Sequence, residues 1–253
     1  MIEVVKEIAL EAGAAVLEVY GTEFGVETKE DSSPLTEADR RSNAVIERGL
    51  QNSFPEIPII SEEMKATEFA ERKDWDQFWL VDPLDGTKEF VKRNGEFTVN
   101  IALIRKGQPV LGVVFQPVGE HLFWAEEGNG AWKSTASGSP VRMSGGEHYL
   151  EKDSVTVVAS RSHLTDDVKK FVEDLESAGK TVEFLSAGSS LKLCLVAEGA
   201  ADVYPRLGPT MEWDTGAAHA IANQAGRQVL QFDSREPLCY NKENLLNPFF
   251  IVE

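Results

Sequence analysis

Cysteine is nearly absent from this chain: Cys194 and Cys239 are the only two in 253 residues. Two thiols cannot staple a domain of this size, and no Cys-x-x-Cys pair offers a zinc site. Cys194 lies in the apolar run Leu193-Cys194-Leu195-Val196 and reads as a buried small hydrophobe. Histidine is equally scarce, and His121, His148, His163 and His219 show no ligand spacing. No apolar run is long enough to cross a bilayer. The N-terminus carries Glu3, Glu7 and Glu11 and lacks the basic start of a signal peptide. Positive charge is also short, since 25 Lys and Arg against 42 Asp and Glu give a formal charge of −17. Such a surface repels nucleic acid and anionic membranes, which makes polymeric DNA or RNA a poor partner. The expectation is a soluble, reduced, cytoplasmic protein without a transmembrane segment. Peripheral membrane association and oligomeric state stay open. If the substrate is a small polyanion, local cations or bound metal must offset the field, which favours a metal site over bare carboxylates.

What is present is ordinary globular composition, 42% hydrophobic and 26% charged. Ile2, Val5, Ile8, Ala9, Ala12, Val16 and Val19 share one helical face, closed by Gly21. A strand near 24–28 and a polar loop at 29–34 follow, and Thr36 to Asp39 open a second helix. Short strands are predicted at 57–60 and 77–81, the latter stopping at Asp82-Pro83. From Phe97 to Trp132 strands and turns suggest an antiparallel meander. Beyond about residue 150, strands at 155–159, 181–185 and 202–204 alternate with helices at 165–178, 189–197 and 215–225, an α/β pattern. Two tightly joined subdomains are expected. Residues 1–150 form an α+β unit with an antiparallel sheet, and 151–253 form an α/β unit.

The most informative segment is Asp82-Pro83-Leu84-Asp85-Gly86-Thr87, delivered by the apolar strand ending in Val81. Pro83 bends the chain, so both carboxylates can turn toward one cavity. Gly86 and Thr87 precede a helical stretch whose first amides form a ready anion site. Carboxylates for Mg2+ beside amides for phosphate suit metal-assisted phosphate hydrolysis. Asp-Gly is also a common turn, and an Asp before a helix a common cap. Haloacid dehalogenase-like phosphatases carry Asp-x-Asp-Gly-Thr, but here the first Asp is one residue too early. Three further acidic segments recur: Ser61-Glu62-Glu63 at a strand end, Thr36-Glu37-Ala38-Asp39 in a first turn, and Trp213-Asp214 at a helix start. Singly, each has an ordinary reading, as solvated charge, capping box or N-cap. Their joint occurrence in this order does not.

Together, Ser61-Glu62-Glu63, Asp82 to Thr87 and Trp213-Asp214 resemble the three signature segments of the inositol monophosphatase-like superfamily. The resemblance spans Asp39 to Gly226. It implies a layered α-β-α-β-α sandwich of the inositol monophosphatase and fructose-1,6-bisphosphatase type, with two or three Mg2+ ions between its halves. By position, Glu62, Asp82, Asp85, Asp214 and the Leu84 carbonyl would ligate metal, with Glu63 the weaker member of its pair. Most of these ligands fall in 1–150, and Asp214 comes from 151–253. Asp39 and Thr87 would orient the attacking water with Glu62, so that the catalytic set is Asp39, Glu62 and Thr87. The family also implies sensitivity to Li+.

Within the superfamily the chain resembles the 3′(2′),5′-bisphosphate nucleotidases, the CysQ-type enzymes of sulfur metabolism. Inositol monophosphatases usually carry a Glu before a hydrophobic-Gly pair upstream of Trp-Asp. This chain has Arg206-Leu207-Gly208, which suits a second phosphate. Lys192 after Gly188-Ser189-Ser190, the segment Ser160-Arg161-Ser162-His163 and Lys88-Glu89-Phe90 point the same way. Lys192 could instead be a solvated charge, Arg206 a partner of surface acids and His163 a helix cap. The substrate-binding set is Leu84, Asp85, Gly86, Thr87, His163, Ser189, Lys192, Arg206 and Asp214. The expected reaction is hydrolysis of the 3′-phosphate of adenosine 3′,5′-bisphosphate to AMP and phosphate, with 3′-phosphoadenylyl sulfate a further candidate. The alternatives are a broad-specificity inositol monophosphatase and a non-catalytic binder of metal or phosphometabolite.

Overall fold

Apolar residues at helical spacing bury one face of α1 (Ile2–Tyr20). Strands β1 (Val26–Thr28) and β2 (Pro34–Thr36) pair antiparallel and lead into α2 (Glu37–Ser53). At its start Thr36 Oγ1 accepts the Ala38 N–H, while Asp39 Oδ2 accepts the Thr36 N–H. The chain continues through β3 (Ile59–Ser61), α3 (Phe69–Arg72), β4 (Gln77–Asp85) and α4 (Thr87–Val91). It then forms β5 (Thr98–Arg105), β6 (Gln108–Gln116), β7 (His121–Glu126), β8 (Gly130–Thr135) and β9 (Val141–Arg142). The second half comprises β10 (Ser154–Ala159), α5 (Asp166–Ser177), β11 (Thr181–Ser186), α6 (Leu191–Ala197) and β12 (Tyr204–Arg206). It closes with α7 (Glu212–Gln224), β13 (Val229–Gln231) and β14 (Phe250–Val252). The computed structural model describes residues 1–28, 34–65, 67–135, 138–159 and 165–253, so residues 29–33 of the predicted polar loop and His163 lie outside the described residues.

Strands β3 to β9 form a seven-stranded sheet in sequence order, parallel at β3–β4 and antiparallel elsewhere. The predicted meander is its centre. A parallel pair, β10–β11, meets the antiparallel β12-β14-β13 set through the Val157–Val203 bridge, giving a second sheet. Period-two alternation sends Trp79, Val81, Ile101 and Leu103 to one face of the first sheet, against α1 and α2. Phe78, Leu80, Ala102 and Ile104 face the other way, where Cys194, Ala218 and Ile221 of α6 and α7 join them. The same middle layer packs on Val158, Val229 and Val252 of the second sheet. Val155, Val157, Ile251 and Leu175 of α5 close the far side. The order is α-β-α-β-α.

Strand β4 does not stop at Asp82. It pairs with β5 through Asp85, with a register shift between Asp82 and Asp85. Pro83 lacks the N–H a regular ladder needs, so the irregularity falls where the carboxylates are. Helix α7 begins three residues earlier than predicted, at Glu212 rather than Thr215. The last two strands, three residues each, were too short for a periodicity signal.

Helix α7 crosses the sheet closely at Gly112. A Cβ there would lie 2.1 Å from the Ala217 carbonyl oxygen, and both partners are backbone. Gly112→Ala is expected to lower stability by about 1–3 kcal/mol, read as a reduced urea midpoint. An unchanged midpoint would contradict this close contact.

Candidate active site

Four acids from different elements meet where the two halves join. Asp82 and Asp85 come from the bulged end of β4, Glu62 follows β3, and Asp214 lies in the first turn of α7. Asp82 is 1% exposed, and burial pushes its carboxyl well above the usual carboxylate range, with the charges of Glu62, Asp85 and Asp214 adding to the shift. Asp214 is raised in the same way, first by burial and then by Asp85, against the restraining Met211 N–H. Mutual repulsion of this kind means that the four carboxylates share one electrostatic site. Glu63 is not among the groups acting on Asp82; its charge acts on Arg40.

Three of the acids are held by one oxygen each. Asp82 Oδ1 accepts the Leu84 N–H at 3.0 Å, and Asp214 Oδ2 accepts the Met211 N–H at 2.9 Å. Asp85 Oδ2 accepts the Ser190 N–H at 2.6 Å and the Ser190 hydroxyl at 2.8 Å. Among the described residues no hydrogen bond is made to the second oxygen of these three side chains. Ser190 was missed by the sequence reading. Its hydroxyl also lies 2.8 Å from the Asp214 carbonyl and accepts Asn100 Nδ2 at 2.8 Å, so it ties ligands from both halves together. A small polar residue after Gly188-Ser189 is too common a pattern to have signalled that role.

Asp39 is buried and does two things at once. Its Oδ2 completes the helix cap, and its Oδ1 faces the Thr87 hydroxyl at 3.4 Å, a loose contact. The Thr87 hydroxyl also reaches the Leu84 carbonyl at 3.2 Å. Gly86 sits at φ +89°, and a Cβ there would meet the Glu96 carbonyl at 3.2 Å. Only glycine turns the chain here without strain.

Asp85, Gly86, Ser189, Lys192, Arg206 and Asp214 line one cleft of about 200 Å3, together with Lys88. Lys192 is not a solvated charge: it is 8% exposed, donates to the Ser189 carbonyl at 2.8 Å and lies over the Tyr204 ring. Burial lowers its ammonium to about 8, against the pull of Asp85. Among the described residues Arg206 pairs with no surface acid: Nη2 donates to the Pro209 carbonyl at 2.9 Å, and its buried Nε has no partner. A neighbouring cavity of about 340 Å3 shares Lys88, Tyr204 and Arg206 with the cleft and contains no acid among its described lining residues. A larger cavity of about 530 Å3 lies between β7, β8 and α6 and lacks all four clustered carboxylates, so size does not mark the chemistry here.

The sequence matches the inositol monophosphatase family over residues 1–248. The chain belongs to that family. It is 46% identical to the 3′(2′),5′-bisphosphate nucleotidase CysQ of Salmonella typhimurium, over 100% of this chain and 99% of the relative. Against the enzyme of the same name from Haemophilus influenzae the identity is 37%, over 97% of this chain and 89% of that one. The crystal structure of CysQ from Bacteroides thetaiotaomicron superposes with a TM-score of 0.87 at 47% identity, covering 100% of this chain and 96% of that one. An IMPase from Thermotoga maritima gives a TM-score of 0.75 at 26% identity, covering 98% and 89%. The family is generally Mg2+-dependent. Among the described residues no three Asp, Glu, His or Cys side chains are brought together closely enough to hold a metal ion as they stand. The donors nonetheless suit a hard cation: they are all oxygen, they repel one another, and three keep an oxygen unengaged. No helix among the described residues is long and apolar enough to cross a membrane.

Raised carboxyls carry a definite sign. Asp82 and Asp214 keep protons in the folded chain that the unfolded chain has already released. Their contribution to stability is full below about pH 4, the ordinary carboxylate range, and is lost as pH rises toward their raised values. The melting temperature of chelated protein is expected to fall between pH 5 and 8, and saturating Mg2+ to flatten that slope. Identical slopes with and without Mg2+ would contradict a cation at this cluster.

Proposed function

We propose that this protein is a Mg2+-dependent phosphomonoesterase that hydrolyses the 3′-phosphate of adenosine 3′,5′-bisphosphate to AMP and phosphate, with 3′-phosphoadenylyl sulfate as a second substrate. The observation that carries the reading is the cavity beside the carboxylate cleft. In a chain of net charge −17, it presents Lys88 and Arg206 and no acid among its described lining residues. A second anionic group on the substrate accounts for that local reversal of charge. The names of full-length relatives support the same substrate.

In this reading Glu62, Asp82, Asp85, Asp214 and the Leu84 carbonyl hold two or three Mg2+ ions. Mg2+ supplies the charge that lets the carboxylates ionise together and that stabilises the developing charge on the phosphoryl and leaving oxygens. The Thr87 hydroxyl has one hydrogen for two acceptors. With the Leu84 carbonyl taken as a ligand, that hydrogen goes to Asp39, leaving the Thr87 lone pairs to orient the attacking water with Glu62. The Gly86 and Thr87 amides face the scissile phosphate; α4 has only five residues, so these amides rather than a helix dipole act. Ser189 and Lys192 hold the substrate from the opposite wall, and Arg206 with Lys88 receives the remaining phosphate. His163 is assigned to the same substrate wall from its sequence segment alone. Residues 1–150 and 151–253 act as two subdomains closing on the site. The partner is a small phosphate ester and the compartment the cytoplasm.

A charge-assisted hydrogen bond contributes roughly 1.5–3 kcal/mol. Arg206→Ala should therefore lower kcat/KM for adenosine 3′,5′-bisphosphate by about 10- to 150-fold, and for 3′-AMP, which lacks the 5′-phosphate, far less. Equal losses on both substrates would reject Arg206 as the selectivity residue. Faster Mg2+-dependent phosphate release from inositol 1-phosphate than from the bisphosphate would replace this reading with the inositol phosphatase one.

A further inference from the structure

Glu212 stands two residues before Asp214 and has no exposed surface, yet the chemistry above gives it no task. Its carboxylate is engaged by the loop after β13. Oε2 accepts the Asn241 N–H at 2.8 Å, and Oε1 accepts the Lys242 N–H at 3.0 Å and Lys242 Nζ at 2.6 Å. Asn241 adopts φ +67°, which points two successive N–H groups toward one anion, the geometry of a backbone nest.

That loop is anchored on both sides. Buried Arg72, from the first half, donates to Asn241 Oδ1 at 2.7 Å and to the Glu243 carbonyl at 3.0 Å. Its own carbonyl accepts Asn241 Nδ2 at 2.8 Å. Further along, the Leu245 carbonyl accepts the Glu212 N–H at 2.9 Å. Asn247 Nδ2 donates to the Met211 carbonyl at 2.8 Å and to Thr215 Oγ1 at 3.1 Å. Met211 is the residue whose N–H holds Asp214 Oδ2. The first turn of α7 is thus gripped at Met211, Glu212 and Thr215, on either side of Asp214.

We propose that Glu212 and Lys242 are positioning residues: the buried Glu212 carboxylate and the half-buried Lys242 ammonium, paired at the Asn241–Lys242 nest, fix the rotation of the α7 first turn and so aim Asp214 at the metal. The inference rests on the reading of Asp214 as a metal ligand. An ion pair with a buried carboxylate is seldom more stabilising than apolar packing of equal volume, and what it adds here is a defined register. Partners that orient a metal ligand without touching the metal act in the same way.

The test is calorimetric titration of metal-free, full-length protein with Mg2+ alone, well below the melting transition. Lys242→Met is compared with wild type, with the conservative Lys242→Arg, and with Lys152→Met, which breaks the Lys152–Asp202 pair at 2.6 Å far from the acids. Lys242→Met should weaken Mg2+ binding roughly 10-fold, Lys242→Arg should restore most of it, and Lys152→Met should lose melting temperature but keep Mg2+ affinity. Glu212→Gln, if it folds, should follow Lys242→Met. Wild-type affinity in Lys242→Met, or an equal loss in Lys152→Met, would overturn the positioning role while leaving the functional reading intact. A wild-type protein that binds no Mg2+ would instead overturn the functional reading and this inference with it.

Discussion

Repulsion among clustered carboxylates, one buried and three half-buried, is the constraint around which this molecule is arranged. Two like charges about 4 Å apart repel by about 4 kcal/mol at the effective dielectric of a protein interior near its surface. Burial first, and then the charges of the neighbouring acids, hold Asp82 and Asp214 protonated well beyond the usual range, with Glu62 and Asp85 acting on both. A fold gains nothing in stability from such an arrangement by itself. Three of the acids are tied by hydrogen bonds: Leu84 N–H to Asp82 and Met211 N–H to Asp214 are local, and Ser190 reaches Asp85 from the other half of the chain. Each tie uses one oxygen and leaves the other for a cation.

The layered architecture explains why the acids come from so many places in the chain. Strand β4 brings two because Pro83 breaks its ladder at the right point, and β3 brings Glu62 because it lies parallel beside β4. Helix α7 brings the fourth only because it lies flat on the seven-stranded sheet, which Gly112 permits. Ser190 then links Asp85 to the α7 backbone. The acids lie along the seam between the halves, beside the middle layer of helices. Lys88, Lys192 and Arg206 line the same cleft as Asp85, Glu89 and Asp214.

Much of this was legible in the sequence. The motifs at Asp82 to Thr87 and Trp213-Asp214 carried the family and the layered fold, because Pro, Gly and paired acids at fixed spacing leave few structural solutions. The capping-box reading of Asp39 holds through one carboxylate oxygen, while the other faces the Thr87 hydroxyl at 3.4 Å. Legibility failed where contacts are long-range or elements short. Nothing near Ser190 or Glu212 announces a partner 105 or 30 residues away, and β13 and β14 are three residues each. Lys192 could not be assigned by pattern, since burial rather than spacing distinguishes a site cation from a surface one.

The central claim is that a divalent cation resolves the repulsion among these acids. Its most direct measurement is the anomalous difference density of crystals grown with Mn2+ in place of Mg2+. The account predicts density between Asp82, Asp85, Asp214 and Glu62, within about 2.0–2.6 Å of their oxygens, and its loss in Asp82→Asn. Crystals with no Mn2+ density at these four side chains, under conditions where the enzyme is active, would contradict it.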